Sequence, residues 1–130
     1  MVHESEYWQR WIAPLLAFLA ADASDQQAWA RKHDVRSVAV AEEVEFSLHL
    51  AEGMTDRGTF APEALRDFRA VGRILGEMDL SRRSDRWADA LTAGAGWDEV
   101  RALARRMLVA ELGEWNLPLP RRVLSQHVYD

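Results

Sequence analysis

The fold class turns on residues 38–52, VAVAEEVEFSLHLAE. At about 100° per residue, Val40, Ala41, Val44, Ser47, Leu48 and Ala51 fall on one side of a helix. Glu42, Glu45, His49 and Glu52 gather on another. A half-buried strand would alternate apolar and polar residues with a period of two, and this run does not. The spacing therefore predicts an amphipathic helix, with Ser37 as its N-cap and Gly53 as its stop.

Downstream, residues 54–60, MTDRGTF, read as a loop. Pro62 suits the first turn of a following helix whose stripe is Leu65, Phe68, Val71, Leu75 and Met78. Gly72 and Gly76 remove bulk on one side of it, so that another helix, or a second copy of the chain, can approach closely. Ser81 or Ser84 opens a further helix with Trp87 and Leu91, ended by Gly94-Ala95-Gly96. Asp98 and Glu99 then complement the dipole at the start of the last helix. Val100, Leu103, Ala104, Met107, Leu108 and Glu111 follow along one side of it before Gly113.

Upstream, Ser5 can cap a first helix carrying Trp8, Trp11, Ile12, Leu15 and Leu19. Within it, Pro14 predicts either a kink or a restart with proline in the first turn. Ser24 or Asp25 starts a short helix with Ala28 and Trp29 that ends near His33. After Gly113, Pro118 and Pro120 forbid continuous helix. Residues 113–130 are expected as an extended arm packing back on the bundle, with room for one short turn or strand at Val123 to Val128. No strand-like alternation competes, so the expectation is an all-α bundle of five or six helices in a single domain spanning residues 1–130. Its expected core is Trp11, Leu15, Val44, Leu48, Phe68, Leu75, Leu103 and Met107.

Apolar residues make up 48% of the 130-residue chain and charged residues 28%, which is enough to bury a core without disulfide or metal. The chain has no cysteine, which excludes disulfides, thiolate metal sites and cysteine nucleophiles and permits a reducing compartment such as the cytoplasm. The apolar run from Ile12 to Ala21 is too short to span a bilayer. Glu4 and Glu6 precede it with only Arg10 as a basic residue, so it reads as a core helix and not as a signal peptide.

The net charge of −5 lies in the first half, since residues 1–60 hold five Lys and Arg against ten Asp and Glu while residues 61–130 hold eleven of each. An acidic surface repels phosphate backbones, which disfavours nucleic acid and favours a basic protein or a cation.

The Glu42, Glu45, His49 and Glu52 group is the sharpest candidate site. Carboxylates and imidazole suit Mn²⁺, Fe²⁺ or Zn²⁺, but di-iron bundles use Glu-x-x-His on two helices, and here the spacing is Glu-x-x-x-His with no second copy. The reading is no metal and no cofactor. The bland alternative is a solvated side with an i, i+4 Glu45–His49 pair. The four histidines, His3, His33, His49 and His127, are scattered, and no G-x-S-x-G elbow supports a serine nucleophile. Gly94-Ala95-Gly96 lacks the lysine of a phosphate-binding loop. Arg82, Arg83, Arg86, Arg101, Arg105, Arg106, Arg121 and Arg122 make the second half arginine-rich. Asp85, Asp89, Glu111 and Glu114 are interleaved with them, and surface ion pairs are the expected use.

Trp97 and Trp115 flank helix ends, where a large amphipathic ring covers a core or anchors a partner. Together these features point to a non-catalytic, protein-binding helical module of the acidic inhibitor, immunity or adaptor type. Its partner would be basic, and its candidate contact residues are Glu42, Glu45, His49, Glu52 and Trp115. One alternative is a small-molecule or metal-dependent enzyme using Glu45 and His49. Another is an oligomeric scaffold assembled through the Gly72–Gly76 side or the C-terminal arm.

Overall fold

Pro14 stands in the first turn of an α-helix. In a computed structural model, which describes residues 11–33, 37–78 and 95–119, α1 spans Ala13–Ala20 with the proline in its first turn. A π-helical turn at Trp11 and Ile12 precedes it. The helix is apolar nearly all round, and Leu15 through Ala20 are buried, as a core helix requires. No helix among the described residues is long and apolar enough to cross a membrane.

The other helices among the described residues are α2 (Ala23–Lys32), α3 (Ser37–Asp56), α4 (Pro62–Glu77) and α5 (Ala95–Leu112). No strand occurs among the described residues, and the fold is all-α. Pro62 occupies the first turn of α4, as its fixed φ favours. α2 begins one residue before Ser24, and Asp22 stands at its N-cap position without capping it through its side chain. The helix expected between Ser81 and Gly94 lies outside the described residues, as do Trp8, Trp87 and Val123 to Val128. Ala95 and Gly96 belong to the first turn of α5, not to a loop before it.

α3 does not stop at Gly53. It continues to Asp56 and closes on Gly58, whose φ of 78° is left-handed. The Gly58 N–H donates to Thr55 O (3.0 Å) and the Thr59 N–H to Met54 O (2.8 Å), the paired bonds of a Schellman cap. A glycine inside a helix costs only about 1 kcal/mol. Burial of Met54 at 2% exposure and Phe60 at 3% outweighs that cost. The expected 54–60 loop is therefore mostly the end of a helix and its cap.

α5 is the middle of the assembly. It packs against α1 on one side and α4 on the other, and α4 packs in turn on α3. One hydrophobic cluster holds Leu15, Phe18, Trp29, Val44, Phe68, Leu75, Trp97, Met107 and Leu108, drawing on all five helices. Trp11, Leu48 and Leu103, expected in the core, are only half-buried. Trp11 instead meets Phe46 edge-to-face at 5.3 Å.

The close helix approach falls at a glycine other than the two expected. A Cβ on Gly76 would meet nothing within 4 Å, and one on Gly72 would meet Leu48 at an ordinary 3.6 Å. A Cβ on Gly96 would stand 2.9 Å from the Met78 sulfur, so the start of α5 comes close enough to the end of α4 that a side chain at position 96 would make the flexible Met78 shift. The Gly72 side is thus used within the chain, against α3.

Candidate functional site

The 3.6-residue period of α3 divides its charged residues by position. Val40, Glu43, Val44, Ser47, Ala51 and Met54 form the buried seam. Glu42, Glu45 and His49 stand exposed on the other side. Glu52, at the margin, accepts a 3.0 Å bond from Arg69 of α4 in a pair that is itself largely exposed. The structure therefore places the four residues along one solvent-facing side of a single helix, without enclosing them. No group of three or more His, Asp or Glu among the described residues could hold a metal ion.

Trp115 belongs to another region. Beyond Gly113, residues 114–119 form no regular element; the Leu117 N–H closes a tight turn on Trp115 O at 2.8 Å, and the guanidinium carbon of Arg105 sits 3.8 Å from the centre of the Trp115 ring. The tryptophan is half-buried against the core, as are Leu117 and Leu119. Trp97, the other flanking tryptophan, is wholly inside at 1% exposure.

Besides the Arg101–Asp98 pair within the helix, the arginines of α5 bond groups on other elements. Arg101 is 7% exposed; it donates to Gln26 Oε1 at 2.6 Å and also bonds Asp98. Gln26 is wholly buried, and its amide donates to the carbonyls of Phe18 (2.8 Å) and Leu19 (3.0 Å). Arg105 donates to Ala20 O at 2.8 Å and to Asp22 at 2.9 Å. Side chains from α2 and α5 thus bond three carbonyls at the C-terminus of α1, of which Phe18 O also accepts from the Ala21 N–H at 3.3 Å, and a cation stands where the helix dipole is negative. This also explains why Asp22 does not cap α2: its carboxylate turns to Arg105.

Arg106 grips Asp67 of α4 with two bonds, at 2.9 and 2.6 Å. The hydrogen bond and then the charge of Asp67 hold this guanidinium above its ordinary pKa. Glu63, Ala64, Arg66, Met107 and Ala110 complete a shallow, open depression of about 350 Å³ around this pair. Its two central charges satisfy one another, and the depression is open to solvent.

Sequence reasoning missed Gln26, Glu43 and the buried role of Arg101. The signal was positional. Gln26 lies three and four residues before Trp29 and Ala30, and Arg101 lies on the side shared by Trp97, Ala104 and Leu108, so both are polar residues set into apolar stripes. His33 packs its ring on Trp29 at 4.7 Å, while His3 and His127 lie outside the described residues. The expectation of surface ion pairs holds for Arg106 but not for Arg101. Arg82, Arg83, Arg86, Arg121 and Arg122 lie outside the described residues.

Comparison with protein-family models, with curated proteins and with solved structures finds no match for the chain.

Proposed function

We propose that this chain is a non-catalytic helical binding module that engages a basic protein through the outer side of α3, with Glu42, Glu45 and His49 at the centre and Glu52 at the margin. One observation carries the reading: Glu42 and Glu45 stand in solvent without an ion pair among the described residues, whereas Asp22, Asp67 and Asp98 are each held by an arginine of α5. Exposed, uncommitted charge on a rigid helix steers an oppositely charged partner and speeds its association. An acidic inhibitor, immunity or adaptor protein has this physical form, and a cysteine-free chain suits the reducing cytoplasm as its place of work.

The test is paired affinity capture from the native host with the wild-type chain and a Glu42→Lys/Glu45→Lys variant. Glu52 is left alone because Arg69 already holds it. A basic protein retained by the wild type and lost by the variant supports the proposal. Its association rate should fall as salt shortens the Debye length from about 10 Å to about 3 Å. Capture indifferent to the reversal would overturn it.

A further inference from the structure

Acid and arginine lie side by side on the outer surface that α3 and α4 share. Glu42, Glu45 and His49 are exposed on α3, three and then four residues apart, with Glu52 at the margin and Asp56 exposed at the end of the helix. On α4, Arg66, Arg69 and Arg73 repeat that spacing, and all three are exposed. At about 100° per residue each set forms one stripe along its helix. Glu52 holds Arg69, but Arg66 and Arg73, like Glu42, Glu45 and Asp56, make no hydrogen bond or ion pair among the described residues.

The register between the stripes is fixed within the chain. Glu52 reaches Arg69 at 3.0 Å, and a Cβ on Gly72 would stand 3.6 Å from Leu48, so the helices run antiparallel with 52 level with 69 and 48 level with 72. At 1.5 Å per residue, Arg73 is then level with the stretch between Glu45 and His49, and Arg66 lies within a turn of Glu52 and Asp56. Both stripes face solvent, so only the pair at the seam closes within the monomer. A twofold axis parallel to the two helices keeps these levels and lays α3 of one copy over α4 of another. Arg73 of each copy then meets Glu45 of its partner, and Arg66 meets Asp56, twice over. An axis across the helices would instead set acid on acid. Gly76, whose absent Cβ has open space around it, lowers the surface beside Arg73 so that the second α3 can come close. Glu77 comes level with Glu42 at the edge, a like-charged meeting that keeps the pairing weak.

We propose that the basic partner of the outer side of α3 is the arginine stripe of α4 on a second copy of this chain, in a twofold, salt-sensitive dimer. This pairing presupposes that the outer side of α3 binds a basic partner, and it identifies that partner. Exposed ion pairs contribute little one by one, so the dimer depends on several of them at once.

The test is sedimentation equilibrium of the full chain from about 10 µM to about 1 mM, at an ionic strength of about 10 mM and again at about 1 M. The wild type should dimerise with rising concentration at low salt and be monomeric at high salt. Glu42→Lys/Glu45→Lys makes the shared surface mainly basic, and Arg66→Glu/Arg73→Glu makes it mainly acidic. Each alone should weaken the dimer at least about tenfold with helical circular dichroism unchanged. An equimolar mixture of the two should pair at least as tightly as the wild type, because each stripe again meets its opposite. If one reversal disturbs the fold, the other decides alone. A wild type that stays monomeric at low salt overturns the proposal, as does a dimer that survives either reversal. Affinity capture separates this result from the wider reading: a foreign basic protein retained by Arg66→Glu/Arg73→Glu and lost by Glu42→Lys/Glu45→Lys, beside a monomeric wild type, would uphold the α3 surface and reject the second copy as its occupant.

Discussion

α3 and α5 are both long amphipathic helices rich in charge, and they use it in opposite ways. On α3, the exposed acids Glu42 and Glu45 are left to water. On α5, Arg101, Arg105 and Arg106 each tie the helix to another part of the chain. The cause is position in the bundle. α5 has neighbours on two sides, so a long side chain leaving its apolar stripe meets another helix; α3 has water along its outer side. Charge on a central helix becomes structure, and charge on an outer one stays available to a partner.

The comparison breaks first at Gln26. Replacing it with Ala removes the cap from two α1 carbonyls, takes a partner from Arg101 and opens a void. The expected cost is about 2–4 kcal/mol in denaturant unfolding. A loss below about 1 kcal/mol would mean that the polar tie between α1, α2 and α5 is incidental.

Arg105→Ala comes next. It removes the bond to Ala20 O, the pair with Asp22 and the stack on Trp115, from a side chain that is 32% exposed. A cost of about 1–2 kcal/mol is expected, with a change in tryptophan fluorescence as the Trp115 ring loses its cation. Arg105→Lys should restore only part of it, since an ammonium cannot reproduce the planar fork. Full recovery with Lys would reduce the tie to simple charge.

Smallest of all should be the effect of Glu42→Lys/Glu45→Lys on stability, at about 0.5 kcal/mol or less, because neither side chain touches the buried seam. A large loss would show that the outer side of α3 also works for the fold, and would erase the contrast with α5.

Much of the architecture was legible residue by residue. Pro62 marked a helix start, Gly113 a helix end, and Phe68, Leu75 and Met107 the core, because each depends on local backbone geometry or on the period of the apolar stripe. Gly53 misled for a definite reason. A glycine can end a helix or merely be tolerated inside one, and the choice fell to Met54 and Phe60, whose burial carried α3 on to Gly58. The candidate acidic site was legible as an exposed side of one helix. Its surroundings were not, since the Glu52–Arg69 pair joins residues 17 positions apart.

The sequence by itself determined that the chain is helical, which side of each helix is apolar, and that acid dominates its first half, for these follow from a 3.6-residue period and from counting charges. Only the tertiary structure decided that α5 lies between α1 and α4. From that one placement come the buried Arg101–Gln26 bond across 75 residues, the Arg105 cap across 85 and the Arg106–Asp67 grip across 39. Periodicity is a property of a backbone with itself and is written locally. The partner of a charged side chain is set by which helix packs beside it, and that is a property of the whole core.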